Sequence, residues 1–123
     1  MEQKINEIEI NGVTYVPKDS IQAMPPKLDG MEYCMVRTYS AGVFAGYVES
    51  LDGKKAVLRN ARRMWYWDGA NDLTVLARQG TSKPENCKFP APVDMVILTE
   101  VIEIIPITSK AKKSIEGVPA WGD

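Results

Sequence analysis

Between Ala61 and Ala70 the chain reads Ala-Arg-Arg-Met-Trp-Tyr-Trp-Asp-Gly-Ala. Two of its three tryptophans, Trp65 and Trp67, stand here beside Arg62 and Arg63. A guanidinium grips phosphate or carboxylate through a planar fork, and an indole offers a flat face on which a base can stack. In an extended strand Arg63, Trp65 and Trp67 share one side, and Arg62, Met64 and Tyr66 the other. A one-residue slip of register exchanges Arg62 for Arg63, so the sequence leaves open which of them meets a ligand. The adjoining Asp68-Gly69-Ala70-Asn71 is a small-residue turn into a helix start, whose free N–H groups suit an anion. The competing reading is a half-buried strand whose tryptophans fill the core while its arginines pair with acids.

Two weaker groups lie elsewhere. In Arg37-Thr38-Tyr39-Ser40-Ala41-Gly42-Val43-Phe44-Ala45-Gly46 the glycines permit positive φ or close backbone approach. Arg37 is a second anion ligand there, Ser40 a hydroxyl, and Tyr39 or Phe44 a ring contact. The bland reading is a glycine-bearing hairpin with a bulge. It is not a phosphate-binding loop, since no Gly-Lys-Ser/Thr ends it. Thr108 and Ser109 precede Lys110, Lys112 and Lys113, a pattern that suits a phosphate but equally a capped helix with a solvated basic face. Lys88, in a proline-rich loop, completes the set of polar candidates.

Catalytic equipment is sparse. Histidine is absent, which removes the commonest general base and metal ligand. Asp68 with Asp72, and Glu100 with Glu103, have neither dyad nor metal-ligand spacing. Cys34 and Cys87 form no metal motif and read as buried thiols in a reducing compartment. No enzyme activity, metal or cofactor is expected.

Positioning these residues requires a framework. Residues 4–18 read as a hairpin around the Asn11-Gly12 turn pair, followed by an irregular stretch at Pro25 and Pro26. Strands are expected from Tyr33 to Tyr39, in the second half of Ser40–Leu51, and from Lys55 into the arginine-aromatic segment, with Asp52-Gly53 as a turn. Asn71 caps a short helix that Gly80 ends after Gln79, and a loop runs from Thr81 to Pro92. One long strand region spans Met95 to Ile105, and Thr108 or Ser109 caps a last helix closed by Gly117. The resulting class is α+β: a single domain over 1–123, with a curved, partly barrel-like antiparallel sheet of five to seven strands and two short helices.

Composition agrees with a globular domain of 123 residues, 45% hydrophobic and 25% charged. Fifteen Lys and Arg against sixteen Asp and Glu leave a net charge of −1, which disfavours a protein that coats extended nucleic acid. No apolar run approaches the roughly 20 residues of a membrane span, and the first residues lack the apolar stretch of a signal peptide. A cytoplasmic address is expected.

Taken together, Val36-Arg37 with Ser40–Gly46, Ala61-Arg62-Arg63 with Trp65, Trp67 and Gly69-Ala70, Lys83-Pro84 with Cys87-Lys88-Phe89, and Glu103–Pro106 with Thr108 resemble a family of small phage and prophage proteins of unassigned function. The resemblance runs from about Tyr33 to Trp121, within a family core of 31–121 that follows an N-terminal hairpin in 1–20. It implies a viral accessory protein acting in a bacterial host's cytoplasm. Such a protein is similar in kind to anti-defence sponges, which sequester cyclic oligonucleotides or cyclic ADP-ribose-type immune signals. On this reading the chain is a non-catalytic homo-oligomer that binds a nucleotide-type ligand through Arg37, Tyr39, Ser40, Phe44, Arg62, Arg63, Trp65, Trp67, Lys88 and Thr108. Trp121 and the strand Val101–Ile105 are its expected interface elements. The alternatives are a protein-binding inhibitor or accessory factor acting on a host protein and, behind it, a single-stranded nucleic-acid binder.

Overall fold

A computed structural model describes residues 23–122, together with the backbone of two N-terminal strands. Those strands, β1 (Ile8–Ile10) and β2 (Val13–Tyr15), pair antiparallel with Ile8 opposite Tyr15 and Ile10 opposite Val13. The expected Asn11-Gly12 turn between them lies outside the described residues.

The core of the fold is a five-stranded antiparallel sheet in the order β6-β5-β4-β3-β7. β3 (Glu32–Thr38), β4 (Val43–Asp52) and β5 (Lys55–Arg63) form the expected meander. The region expected as one strand is two, β6 (Val93–Leu98) and β7 (Val101–Pro106), which pair with opposite edges of the meander. A bend at Thr99-Glu100 separates them. There Val101 N–H donates to Lys54 O and Tyr39 N–H to Glu100 O, each at 2.9 Å. The sheet therefore wraps around an interior without closing into a barrel.

Around β3 both faces of the sheet are buried, which explains the unbroken apolar run from Tyr33 to Val36. One side encloses Val36, Phe44, Ala56, Leu58, Ala61, Leu98 and Val101. The other carries Tyr33, Met35, Ala45 and Tyr47, and is covered by α1 (Leu73–Gln79), α2 (Ser109–Glu116) and the buried side chains of Met64, Phe89 and Val118.

Two backbone details set the register. Opposite Tyr47 and Ala45 of β4 stand Arg59 and Arg62 of β5, so β5 carries one extra residue there. That residue is Asn60, in the left-handed region at φ 49°. Beside it Gly46 lies so close that a Cβ would sit 3.0 Å from Ala61 Cα and 3.1 Å from Arg59 O. Past this bulge the alternation of β5 inverts: Ala61 takes the interior position and Arg62 turns toward the helices.

The helix ends follow side-chain chemistry. Asp72, and not the expected Asn71, caps α1 by accepting from Val75 N–H at 3.0 Å, and Gly80 ends it. Thr108 caps α2 by accepting from Ala111 N–H at 3.1 Å, and its hydroxyl donates to Arg78 O at 2.7 Å, joining the end of one helix to the start of the other.

Candidate functional site

The two adjacent arginines have opposite fates. Arg62 is only 6% exposed, and its guanidinium is divided among four backbone carbonyls. Nε donates to Pro90 O at 2.9 Å, Nη1 to Ile115 O at 2.8 Å, and Nη2 to Phe89 O at 3.0 Å and Val118 O at 2.6 Å. Burial lowers its pKa from the usual arginine value. This side chain ties β5 to the segment after Lys88 and to the last turn of α2, whose carbonyls lack intrahelical partners. It is a structural clamp, and it leaves no fork for a ligand.

Arg63 faces the other way. Its guanidinium carbon lies 4.4 Å from the Phe44 ring centre, and Nη1 donates to Ala41 O. The residue is exposed, and no described carboxylate comes within 4.0 Å of it. It borders a groove of about 370 Å³, lined also by Ser40, Ala41, Gly42, Val43, Met64, Trp65 and Trp67. Gly42, at φ 99°, makes the tight return from β3 to β4 that brings the Ala41 carbonyl to Arg63. The hydroxyl of Ser40 donates to Glu100 at 2.5 Å and keeps its lone pairs free to accept.

Trp65 is 62% exposed, and its indole stacks on Trp121 with centres 5.4 Å apart at 15°. The pairing follows from local strand geometry. Trp65 N–H donates to Lys88 O at 3.0 Å, and Trp121 N–H to Phe89 O at 3.0 Å, so three short segments align here. Lys88 Nζ stands 5.5 Å from the Trp65 ring centre, 5.8 Å from Tyr66 and 5.6 Å from Trp121. Trp67 is half-buried and packs partly against the helix-side core.

The loop beneath this cluster is tied to Asp68. Asn86 Nδ2 donates to its carboxylate at 3.0 Å and Gly69 N–H at 2.8 Å, and these bonds, the Asn86 one foremost, lower its pKa. The Thr81 hydroxyl donates to the Asp68 carbonyl.

The remaining expected ligands are dispersed. Arg37 pairs with Glu103 at 2.8 Å on the surface and does not line the groove. Tyr39 is 79% exposed next to Ser40, and Phe44 is buried beneath Arg63. Thr108 serves the helix junction. The helix start expected to receive an anion already holds the Asp72 carboxylate, which accepts from Val75 N–H. Trp121, a candidate interface residue, folds back to stack on Trp65 and stays 41% exposed. The isoleucine-rich β7 is mostly half-buried, with Ile102 exposed, while the exposed apolar stripe of the sheet is Val93, Met95 and Ile97 on β6. Sequence reasoning missed the Trp65–Trp121 stack and the Ala41 carbonyl, since neither pairing leaves a local signal.

Among the described residues no three His, Cys, Asp or Glu side chains converge as a metal site, and no helix is long and apolar enough to cross a membrane. The groove instead offers a fixed guanidinium, indole faces and a hydroxyl around an open floor. The chain belongs to a family described as a domain of unknown function, DUF6948, which matches residues 31–115. Neither the curated proteins nor the solved structures hold a match to it.

Proposed function

We propose that this member of the family is a non-catalytic binding protein that holds a nucleotide-derived ligand in the Arg63 groove. The observation that carries the reading is Arg63 itself. Its guanidinium stands over the Phe44 ring, is held by the Ala41 carbonyl, has no described carboxylate partner, and shares its groove with Trp65 and Trp67. A phosphate takes the remaining N–H groups of the fork, and a base stacks on an indole. The absence of histidine, and of any second titratable group among the described residues that line the groove, favours holding the ligand over turning it over.

We further ascribe this binding to the sequestration of a cyclic oligonucleotide or cyclic ADP-ribose-type signal by a phage accessory protein in the host cytoplasm. That part rests on the sequence resemblance. An open groove on so small a chain encloses a ligand fully only if a second copy covers it, so a homo-oligomer belongs to the same proposal.

The test is thermal stabilisation and calorimetry of the purified protein against AMP, GMP, cyclic di- and trinucleotides and cyclic ADP-ribose isomers. A ligand at 100 times its Kd stabilises the fold by about 2.7 kcal/mol. R63A should lose that shift at unchanged Tm. No shift across the panel, or full binding by R63A, overturns the reading. The rival, a protein-binding inhibitor, draws on the exposed cluster of Trp65, Tyr66 and Trp121, because Trp, Tyr and Arg dominate binding hot spots. Failure of the panel would direct attention there.

A further inference from the structure

Trp65 and Trp121 do not line the same groove. Trp65 borders the Arg63 groove. Trp121 borders a second one of about 180 Å³, whose wall also includes Pro84, Glu85, Cys87, Pro119 and Ala120. Since the two indoles stack on each other and each borders a different groove, the pair stands between the two grooves. Lys88 Nζ lies at nearly equal distances from both ring centres, 5.5 and 5.6 Å, so it straddles the pair. No described carboxylate is within 4.0 Å of it.

We propose that the ligand carries two planar bases joined by a phosphate linker, one base in each groove, with the linker crossing the tryptophan wall beside Lys88. The inference rests on the nucleotide reading of the Arg63 groove and adds a second subsite and a length requirement to it. The indole centres are 5.4 Å apart, and a base stacked on each outer face adds about 3.5 Å per side, so the two bases stand roughly 12 Å apart. Both bases can seat at once only if the linker covers that span, so affinity depends on linker length. Glu85 in the second groove is an acceptor suited to the exocyclic amine of adenine and repels phosphate, which keeps the charged linker on the Lys88 side.

Diadenosine compounds with two, three, four and five bridging phosphates measure the span directly, with AMP as the one-base reference. Calorimetry on the full chain should show affinity rising with bridge length, to a gain of roughly 10- to 100-fold over AMP once the linker is long enough. In W121A the ratio of the AMP Kd to the diadenosine tetraphosphate Kd should fall to about one, and W121F should retain most of it. A120W, which fills the second groove and keeps the stack, should collapse the ratio in the same way. R63A should weaken every member of the series. A flat series in the wild-type protein, or a ratio that survives both W121A and A120W, overturns the two-base proposal while AMP binding upholds the reading beneath it. If neither AMP nor any diadenosine compound binds, the reading and the proposal fall together.

Discussion

Replacing Arg62 by alanine should be among the most damaging single changes in this chain, and replacing its neighbour Arg63 among the mildest. Arg62 makes four hydrogen bonds from a buried, charged donor, at 2.6 to 3.0 Å, to carbonyls from two separate segments. A bond to a charged group is worth about 1.5–3 kcal/mol in mutational series, and the desolvation cost of an orphaned acceptor is limited because Phe89 O keeps the Trp121 N–H and Ile115 O the Val118 N–H. The four are not additive, because the half-buried Pro90 carbonyl can recover water once the side chain is gone. Loss of the guanidinium from above Phe89, 5.5 Å from its ring, adds a smaller contribution. The expected loss is about 3–5 kcal/mol, against a total stability of roughly 5–15 kcal/mol for such a domain. Urea unfolding followed by tryptophan fluorescence and circular dichroism measures it, with an unchanged slope showing that the transition stays two-state. R62K restores the charge but not the planar fork, and should still lose about 2 kcal/mol. R63A should stay within about 1 kcal/mol of the parent, since it gives up one exposed bond and a ring contact. An R62A loss below about 1 kcal/mol, or an R63A loss equal to it, would refute the clamp argument and the assignment of the two arginines to separate roles.

Three further outcomes follow from the geometry. T108V removes both the α2 cap and the bond to Arg78 O, and should cost about 1–2 kcal/mol by urea unfolding without changing nucleotide binding. R37A and E103A break an exposed pair and should each shift stability by less than about 1 kcal/mol, read as Tm; a larger effect would mean that the pair is not the surface contact it looks to be. Burial, helped by Glu32, pushes the Cys34 thiol up from 9.0 to about 11, and burial raises Tyr33 as well. Their folded pKa values lie above the unfolded ones, so their contribution is complete below about pH 9 and is lost for Cys34 as pH rises to about 11. Tm should decline over that window, C34A should flatten part of the decline, and the native thiol should resist alkylation at pH 8.

Much of the scaffold was legible along the chain because local chemistry decides it. The strands of the meander, the Asp52-Gly53 turn, the Gly80 and Gly117 helix ends and the Thr108 cap all depend on residues within a few positions of one another. The one misplaced cap, Asn71 for Asp72, shows the limit of that legibility: two competent capping residues stand side by side, and the choice follows the packing of Leu76 and Ala77 under the sheet. The split of the Met95–Ile105 region into β6 and β7 was not legible. Only Thr99 and Glu100 interrupt its apolar pattern, too short a break to read as a change of edge, and the wrapping of the sheet assigns its halves to different edges.

For the site, the sequence alone determined which residue types meet: arginine, indole and a small-residue hairpin that brings Ser40 and Ala41 close. Alternation within five residues is a local property, and it placed Arg63, Trp65 and Trp67 on one side of an extended strand; all three border the groove. Tertiary structure decided which arginine is which. The inversion arises at Asn60, which adopts φ 49° and adds a residue to β5 opposite the close-approaching Gly46. Without that bulge the alternation that places Ala56 and Leu58 inside would carry Arg62 inside with them and turn Arg63 toward the helices. Nothing in the run Leu-Arg-Asn-Ala-Arg-Arg announces a bulge, because it forms in response to a neighbouring strand. The same holds for Trp65 and Trp121, 56 positions apart, whose contact exists because the segment at Ala120 runs alongside Phe89.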